Sequence, residues 1–170
     1  MQHLLRHIRT LILYSLTLTS VFLMCSASLQ AESIGDIIEQ RGVASLLRSG
    51  GEEVTVSGAY IPGIETRDTA VTANGRMLIQ FKDNEELSII EHTRIYIDEA
   101  YYDPDPSKSR MAIRMAQGTA RFTSGRGKRI RKSNIKLSTP TAQISILGTD
   151  FTTTIDEIGQ SLIILLPDEE

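Results

Sequence analysis

From Val43 onward apolar and polar residues alternate with a period of two, and turn residues interrupt the alternation roughly every 8–12 positions. In an extended strand successive side chains point to opposite faces, so this period buries one face. A helix instead repeats at three and four residues, and such stretches are scarce here. "MAIRM" (111–115) is the cleanest case: Met111, Ile113 and Met115 share the inward face, and Ala112 and Arg114 the outward one. Met77, Ile79 and Phe81 form a second inward row, and Ile95 and Ile97 a third.

The turn signals subdivide the chain. Gly50-Gly51, Pro62-Gly63 and "KDNEE" (82–86) each end a strand-like run. Asn74-Gly75 lies between "DTAVTA" and "RMLIQF", and a two-residue hairpin favours this dipeptide because both central residues take positive φ. The spacing therefore predicts a hairpin at 74–75. Glu32 to Gln40 fits either a short helical turn or a leading strand. About ten to twelve short strands follow, which makes the domain all-β: a jelly-roll-like antiparallel β-sandwich or barrel. Two loops stand out by length, 103–109 ("DPDPSKS") and 124–134 ("SGRGKRIRKSN").

The N-terminus has a different character. Arg6 and Arg9 precede the apolar run "LILYSLTLTSVFLM" (11–24), and the small-residue stretch "SLQA" ends at Ala31. A charged start, a short apolar core and a small-residue exit describe a secretory signal peptide, whereas a membrane span needs about 20 apolar residues. Residues 1–31 are read as the signal, cleaved after Ala31, with Ala27 as the alternative. Met24 stands where a lipoprotein would carry a small residue before Cys25, which argues against lipidation. The expected mature domain, 32–170, is periplasmic or secreted and has no membrane span.

Composition then excludes several chemistries. The signal takes two of the 18 basic residues and none of the 21 acids, leaving 16 against 21, a net charge of −5. An exported acidic domain gives no general case for nucleic acid. The only cysteine, Cys25, leaves with the signal, as do His3 and His7. No disulfide framework, Cys/His zinc site or thiolate nucleophile is left, and a Ser-His-Asp arrangement would have to use His92, which sits in the turn "EHT". No cofactor, metal or catalytic residue is expected.

"IKLSTPTAQISILGTDFTT" reads as a strand, Thr-Pro-Thr-Ala, an alternating strand, then Gly-Thr-Asp-Phe. Together with "GRMLIQFKDNEELSI", "TRIYIDEAYYD" and "GTARFTSGR", in that order, it resembles the FecR domain family over roughly Thr55 to Ile155. The resemblance implies an all-β, jelly-roll-like envelope module with a sensing or docking role. The best-known members are inner-membrane regulators in which a cytoplasmic segment controls a sigma factor. In this sequence a signal peptide leads directly into the β-domain, so the sigma-factor role is not expected to carry over. Family members continue with further strands after Gly-Thr-Asp-Phe. The last strand, "SLIILL", is accordingly expected at a partly open edge, blunted by Asp168-Glu169-Glu170 or completed by a partner strand.

Thr139, Pro140, Gly148, Thr149, Asp150 and Phe151 carry the signature, and they are read as a structural sheet corner: a bend at Gly148, Asp150 bonding local amides, and Phe151 returning to the core. A lone aspartate without a nearby histidine or second acid makes a poor catalytic centre. The basic loop places Arg126, Lys128, Arg129, Arg131 and Lys132 within seven positions. It is not a P-loop, since Phe122 stands where the first glycine belongs and Arg129 where Ser or Thr is required. It is expected to dock an envelope protein or an anionic envelope component. Asp98, Glu99, Asp103 and Asp105 lack the order of a calcium loop. An alternative to protein docking is a carbohydrate-binding or structural envelope module, with Tyr60 or Tyr101 stacking on sugar. A glycan-cleaving enzyme would need two carboxylates about 5–10 Å apart in a cleft, and nothing in the sequence calls for one.

Overall fold

The computed structural model describes residues 32–125, 129–145 and 150–166. Among them lie eleven strands: β1 (Ser33–Leu47), β2 (Glu53–Val56), β3 (Ile64–Glu65), β4 (Thr69–Phe81), β5 (Glu86–Ile89), β6 (Arg94–Tyr101), β7 (Arg110–Thr123), β8 (Ile135–Ser138), β9 (Gln143–Ser145), β10 (Phe151–Ile155) and β11 (Ser161–Leu165). A single 3-10 turn spans Lys132–Asn134, and no helix among the described residues is long and apolar enough to cross a membrane. The domain is all-β.

All eleven strands belong to one sheet, built on three long strands, β1, β4 and β7. β1 pairs with β4 from Gly35↔Phe81 to Leu47↔Thr69. The other edge of β4 is shared, with β6 along Thr69–Val71 and β5 along Met77–Gln80. β6 and β5 pair in turn with successive parts of β7. Along its far edge β7 takes β8 at Met111–Arg114 and β10 at Gly118–Phe122. β9 then adds to β8, and β11 to β10. The β7–β8 pair is parallel, an exception to the antiparallel pattern expected from short successive strands.

The long strands pass from one half of the sheet to the other, and the inner faces of the halves close on each other as in a sandwich or barrel. Leu87, Phe122 and Phe151 from one half border the same internal space as Ile95, Ile113 and Leu137 from the other. That space is nearly filled, so it is core and not a ligand cavity. The alternating rows read from the sequence are all buried in it: Met77, Ile79 and Phe81; Ile95 and Ile97; Met111, Ile113 and Met115.

The expected hairpin at Asn74-Gly75 does not form. β4 runs straight through this dipeptide, and Gly75 lies opposite Gly42 of β1 at a register shift. A Cβ on Gly75 would sit 2.1 Å from the Arg41 carbonyl oxygen, and one on Gly42 2.0 Å from that of Asn74. The glycine is needed for backbone approach where two long strands bend together, not for a reversal of direction. β1 also absorbs the ambiguous segment 32–40 as strand from Ser33 on. Gly118, with φ near +92°, marks the corresponding bend in β7, where an added Cβ would meet Thr93 Cα at 2.5 Å.

Candidate functional site

Asp83, Asn84 and Glu85 form the turn between β4 and β5, with Asn84 in the left-handed region that asparagine tolerates (φ 64°). The turn lies against Ser124 and Gly125, at the start of the basic loop. Gly125 N–H donates to Glu85 Oε2 at 2.7 Å. Lys132 Nζ reaches the other oxygen of Glu85 and also bonds Ser124 Oγ and the Gly125 carbonyl. The Glu85 side chain is 2% exposed and that of Lys132 28%. Burial pushes the Glu85 carboxyl up, against the opposing pull of the Lys132 and Gly125 bonds. Asp83 is also buried; its Oδ1 accepts the Glu85 N–H at 3.4 Å while Oδ2 has no protein partner, and burial pushes its carboxyl up as well. Tyr102 packs beside them, its hydroxyl donating to the Ile34 carbonyl at 3.4 Å, and burial raises the phenol.

Of the five loop cations, Arg126 and Lys128 lie outside the described residues. Lys132, expected to face a partner, is engaged with Glu85 and anchors the loop. Arg129 and Arg131 are exposed, and the Arg131 N–H donates to the Pro106 carbonyl at 3.3 Å, which ties the basic loop to loop 103–109.

Gly148 and Thr149 of the signature also lie outside the described residues. Asp150 Oδ1 accepts the Ser124 N–H at 2.8 Å, and its other oxygen stands 3.5 Å from Arg121. Phe151 is buried and stacks on Phe122 with ring centroids 5.6 Å apart. Thr139 and Pro140 belong to the turn between β8 and β9. Thr139 Oγ1 accepts the Ala142 N–H at 3.0 Å and the Ser161 hydroxyl at 2.7 Å, linking that turn to the start of β11. Three segments distant in sequence, 83–85, 121–125 and 150–151, thus meet in one place. Sequence reading identified each segment but not that Glu85 and Lys132 join two of them; an acid in one motif and a cation in another give no such signal.

β11 pairs only with β10 among the described residues. Its side chains are unusually open for aliphatics: Leu162 is 61% exposed, Ile164 50% and Leu165 69%. Ile163 alone packs against the core. The strand itself contains no charge and no proline, the usual means of protecting an edge, and the acidic residues Asp168, Glu169 and Glu170 expected to blunt it lie outside the described residues.

The acidic residues of β6 and its following loop are committed locally. Asp98 pairs with Arg114, Glu99 with Arg110, Asp103 Oδ1 accepts the Asp105 N–H, and Asp105 Oδ1 accepts the Ser107 N–H. Those contacts hold the exposed Asp103 and Asp105 carboxyls below the usual carboxylate range. Among the described residues no group of three or more His, Cys, Asp or Glu is placed to hold a metal ion. His92 is exposed in its turn with φ near +56°.

A family model described as FecR protein matches residues 67–166, more than half of the chain and overlapping the region where the motifs were read. No curated protein and no solved structure matches the chain.

Proposed function

Because the chain belongs to the FecR protein family, a family of sensing and signalling modules, we propose that it is a non-enzymatic docking module of the cell envelope that receives a partner protein along β11. Residues 1–31 act as the export signal, and 32–170 work on the periplasmic side. The observation that carries this reading is the uncharged strand β11, whose outer edge has no strand partner among the described residues and whose Leu162, Ile164 and Leu165 are exposed. An edge of this kind has backbone N–H and C=O groups to offer an added strand, and its alternating side chains supply selectivity. The occupant we assign is an extended segment of another protein, alternating aliphatic and small residues. It carries Lys or Arg at the end that meets the exposed acids Asp156 and Glu157, in the turn before β11.

Photo-crosslinking in cells from position 164, with position 53 on the opposite edge strand β2 as control, tests this. A discrete envelope protein captured only from position 164, cross-linked through a basic-flanked extended peptide and lost in Leu162→Lys, is the expected result. Equal background from both positions, or capture of a second copy of this chain, overturns it.

A second reading concerns the basic loop. Anchored at its far end by Lys132, it presents Arg129 and Arg131 outward, an arrangement suited to an anionic envelope component. Charge reversal of both arginines should then weaken attachment to anionic vesicles without altering capture at β11.

A further inference from the structure

A cleft of about 610 Å³ opens on the outer sheet face between the end of β6, loop 103–109 and the start of β8; Tyr101, Lys108, Arg110, Ser133, Asn134 and Lys136 line it. Its walls are fixed. Asn134 Nδ2 donates to the Ser107 and Ser109 carbonyls at 2.9 Å each, and the Asp103 N–H donates to Ser109 Oγ at 2.8 Å. Tyr101 is held at its hydroxyl and over its ring. Its hydroxyl donates to Asp103 Oδ2 at 2.9 Å, and the Arg110 guanidinium lies 5.1 Å from the ring centroid while pairing with Glu99. The tyrosine nevertheless remains 45% exposed.

The charges at the cleft divide into two kinds. Glu99 balances Arg110, while Asp103, which accepts the Tyr101 hydroxyl and a backbone amide, keeps its charge close enough to Lys108 for that ammonium to help hold it low. Lys108 and Lys136 are exposed and have no carboxylate partner among the described residues. A positioned ring, hydroxyl and amide groups, and three cations set against two carboxylates converge on one concavity in a domain that is acidic overall. The ring offers stacking to the C–H face of a sugar, the polar groups suit hydroxyls, and the lysines suit an anion. The lining mixes polar and apolar surface in similar measure, which suits a sugar, with its hydroxyls and C–H faces, better than a wholly apolar ligand.

The same face repeats the pattern along β7. Arg114 lies over the Tyr96 ring at 4.4 Å and pairs with Asp98, four residues from the Arg110–Tyr101 stack. On a strand that separation is about 13 Å, longer than one sugar unit, so the face can follow a chain of units. We propose that this cleft binds an acidic saccharide, a sugar or short glycan bearing a carboxylate or a phosphate, with Tyr101 as the stacking platform and Lys108 and Lys136 as the anion contacts. This site is separate from the β11 edge and stands or falls independently of it.

The test is a titration of the purified full-length protein by two-dimensional NMR. The probes are trigalacturonate for the carboxylate arm and glucose 6-phosphate for the phosphate arm, with maltotriose and inorganic phosphate as controls. At least one acidic sugar should shift amides around 99–112 and 133–136, binding at least tenfold more tightly than both controls. Tyr101→Ala, and separately Lys108→Gln with Lys136→Gln, should each weaken binding at least tenfold. Tyr101→Phe, which keeps the ring, should stay within about threefold. Which acidic probe binds assigns the anion. No shift with any probe at 20 mM overturns the proposal. So does inorganic phosphate binding as well as the sugar phosphate, which would leave only a charge patch, or maltotriose binding as well as trigalacturonate.

Discussion

Lys132 reaches across to Glu85, forty-seven positions earlier in the chain, and bonds a carboxylate that is almost wholly buried. The contact ties the turn after β4 to the basic loop. It also means that one of the loop's cations serves the fold, while Arg129 and Arg131 stay outside.

Removing the cation should leave the acid buried without its partner. Lys132→Met is expected to destabilise the domain by about 2–3 kcal/mol, somewhat below a fully buried pair because Lys132 keeps some contact with water. Glu85→Gln in the same background should recover part of the loss. Urea unfolding of the single and double variants measures both. If the double variant is as unstable as Lys132→Met, the pair is not the source of the loss.

The two buried acids predict an unusual acid response. Asp83 and Glu85 have folded-state carboxyls raised above 3.8 and 4.5, so each binds its proton more tightly when folded. Their ionisation therefore works against folding at neutral pH. That burden lifts as pH falls from the raised values toward the ordinary ones. The exposed acids held low by their partners, Asp103 and Asp105 among them, act oppositely, and their contribution fades only below the ordinary carboxylate range. The melting temperature should hold or rise on acidification from neutrality toward about pH 5 and fall below about pH 4. Asp83→Asn should melt higher than the parent at pH 7 and converge with it near pH 4. Parallel melting curves for the two proteins across this range would remove Asp83 from the account.

At the strand crossing, Gly75→Ala should cost about 2–4 kcal/mol, because its Cβ meets backbone that has no room to move. Gly50→Ala is the control, with nothing within 4 Å of the added atom. A hairpin at 74–75 would have predicted a milder loss and free solvent around the new methyl group.

Asp150 offers a test of the structural reading of the signature. Asp150→Ala should cost about 1 kcal/mol through the lost Ser124 contact. It should leave crosslinking at β11 and titration at the Tyr101 cleft unchanged. Selective loss of either, with stability intact, would give Asp150 a role beyond the corner.

The inward rows were legible because burial acts on one side chain at a time: Met77, Ile79 and Phe81 declare their face by spacing alone. Phe151 was legible for the same reason, though not its stacking on Phe122. Asn74-Gly75 misled because positive φ and close backbone approach both select glycine, and only the neighbouring strand distinguishes them. The five loop cations were equally visible in sequence, but which of them is spent internally depends on where Glu85 lies.

The sequence by itself determined an all-β domain, its buried faces and its family, since period-two alternation and ordered motifs are local properties of the chain. The tertiary structure alone decided that β4 and β7 bend instead of turning back, that β8 pairs parallel, that Lys132 belongs to Glu85, and that Tyr101, Lys108 and Lys136 share one cleft. Each of these depends on distances between residues far apart in sequence, and the energy that selects among such pairings is shared between partners that no local pattern joins.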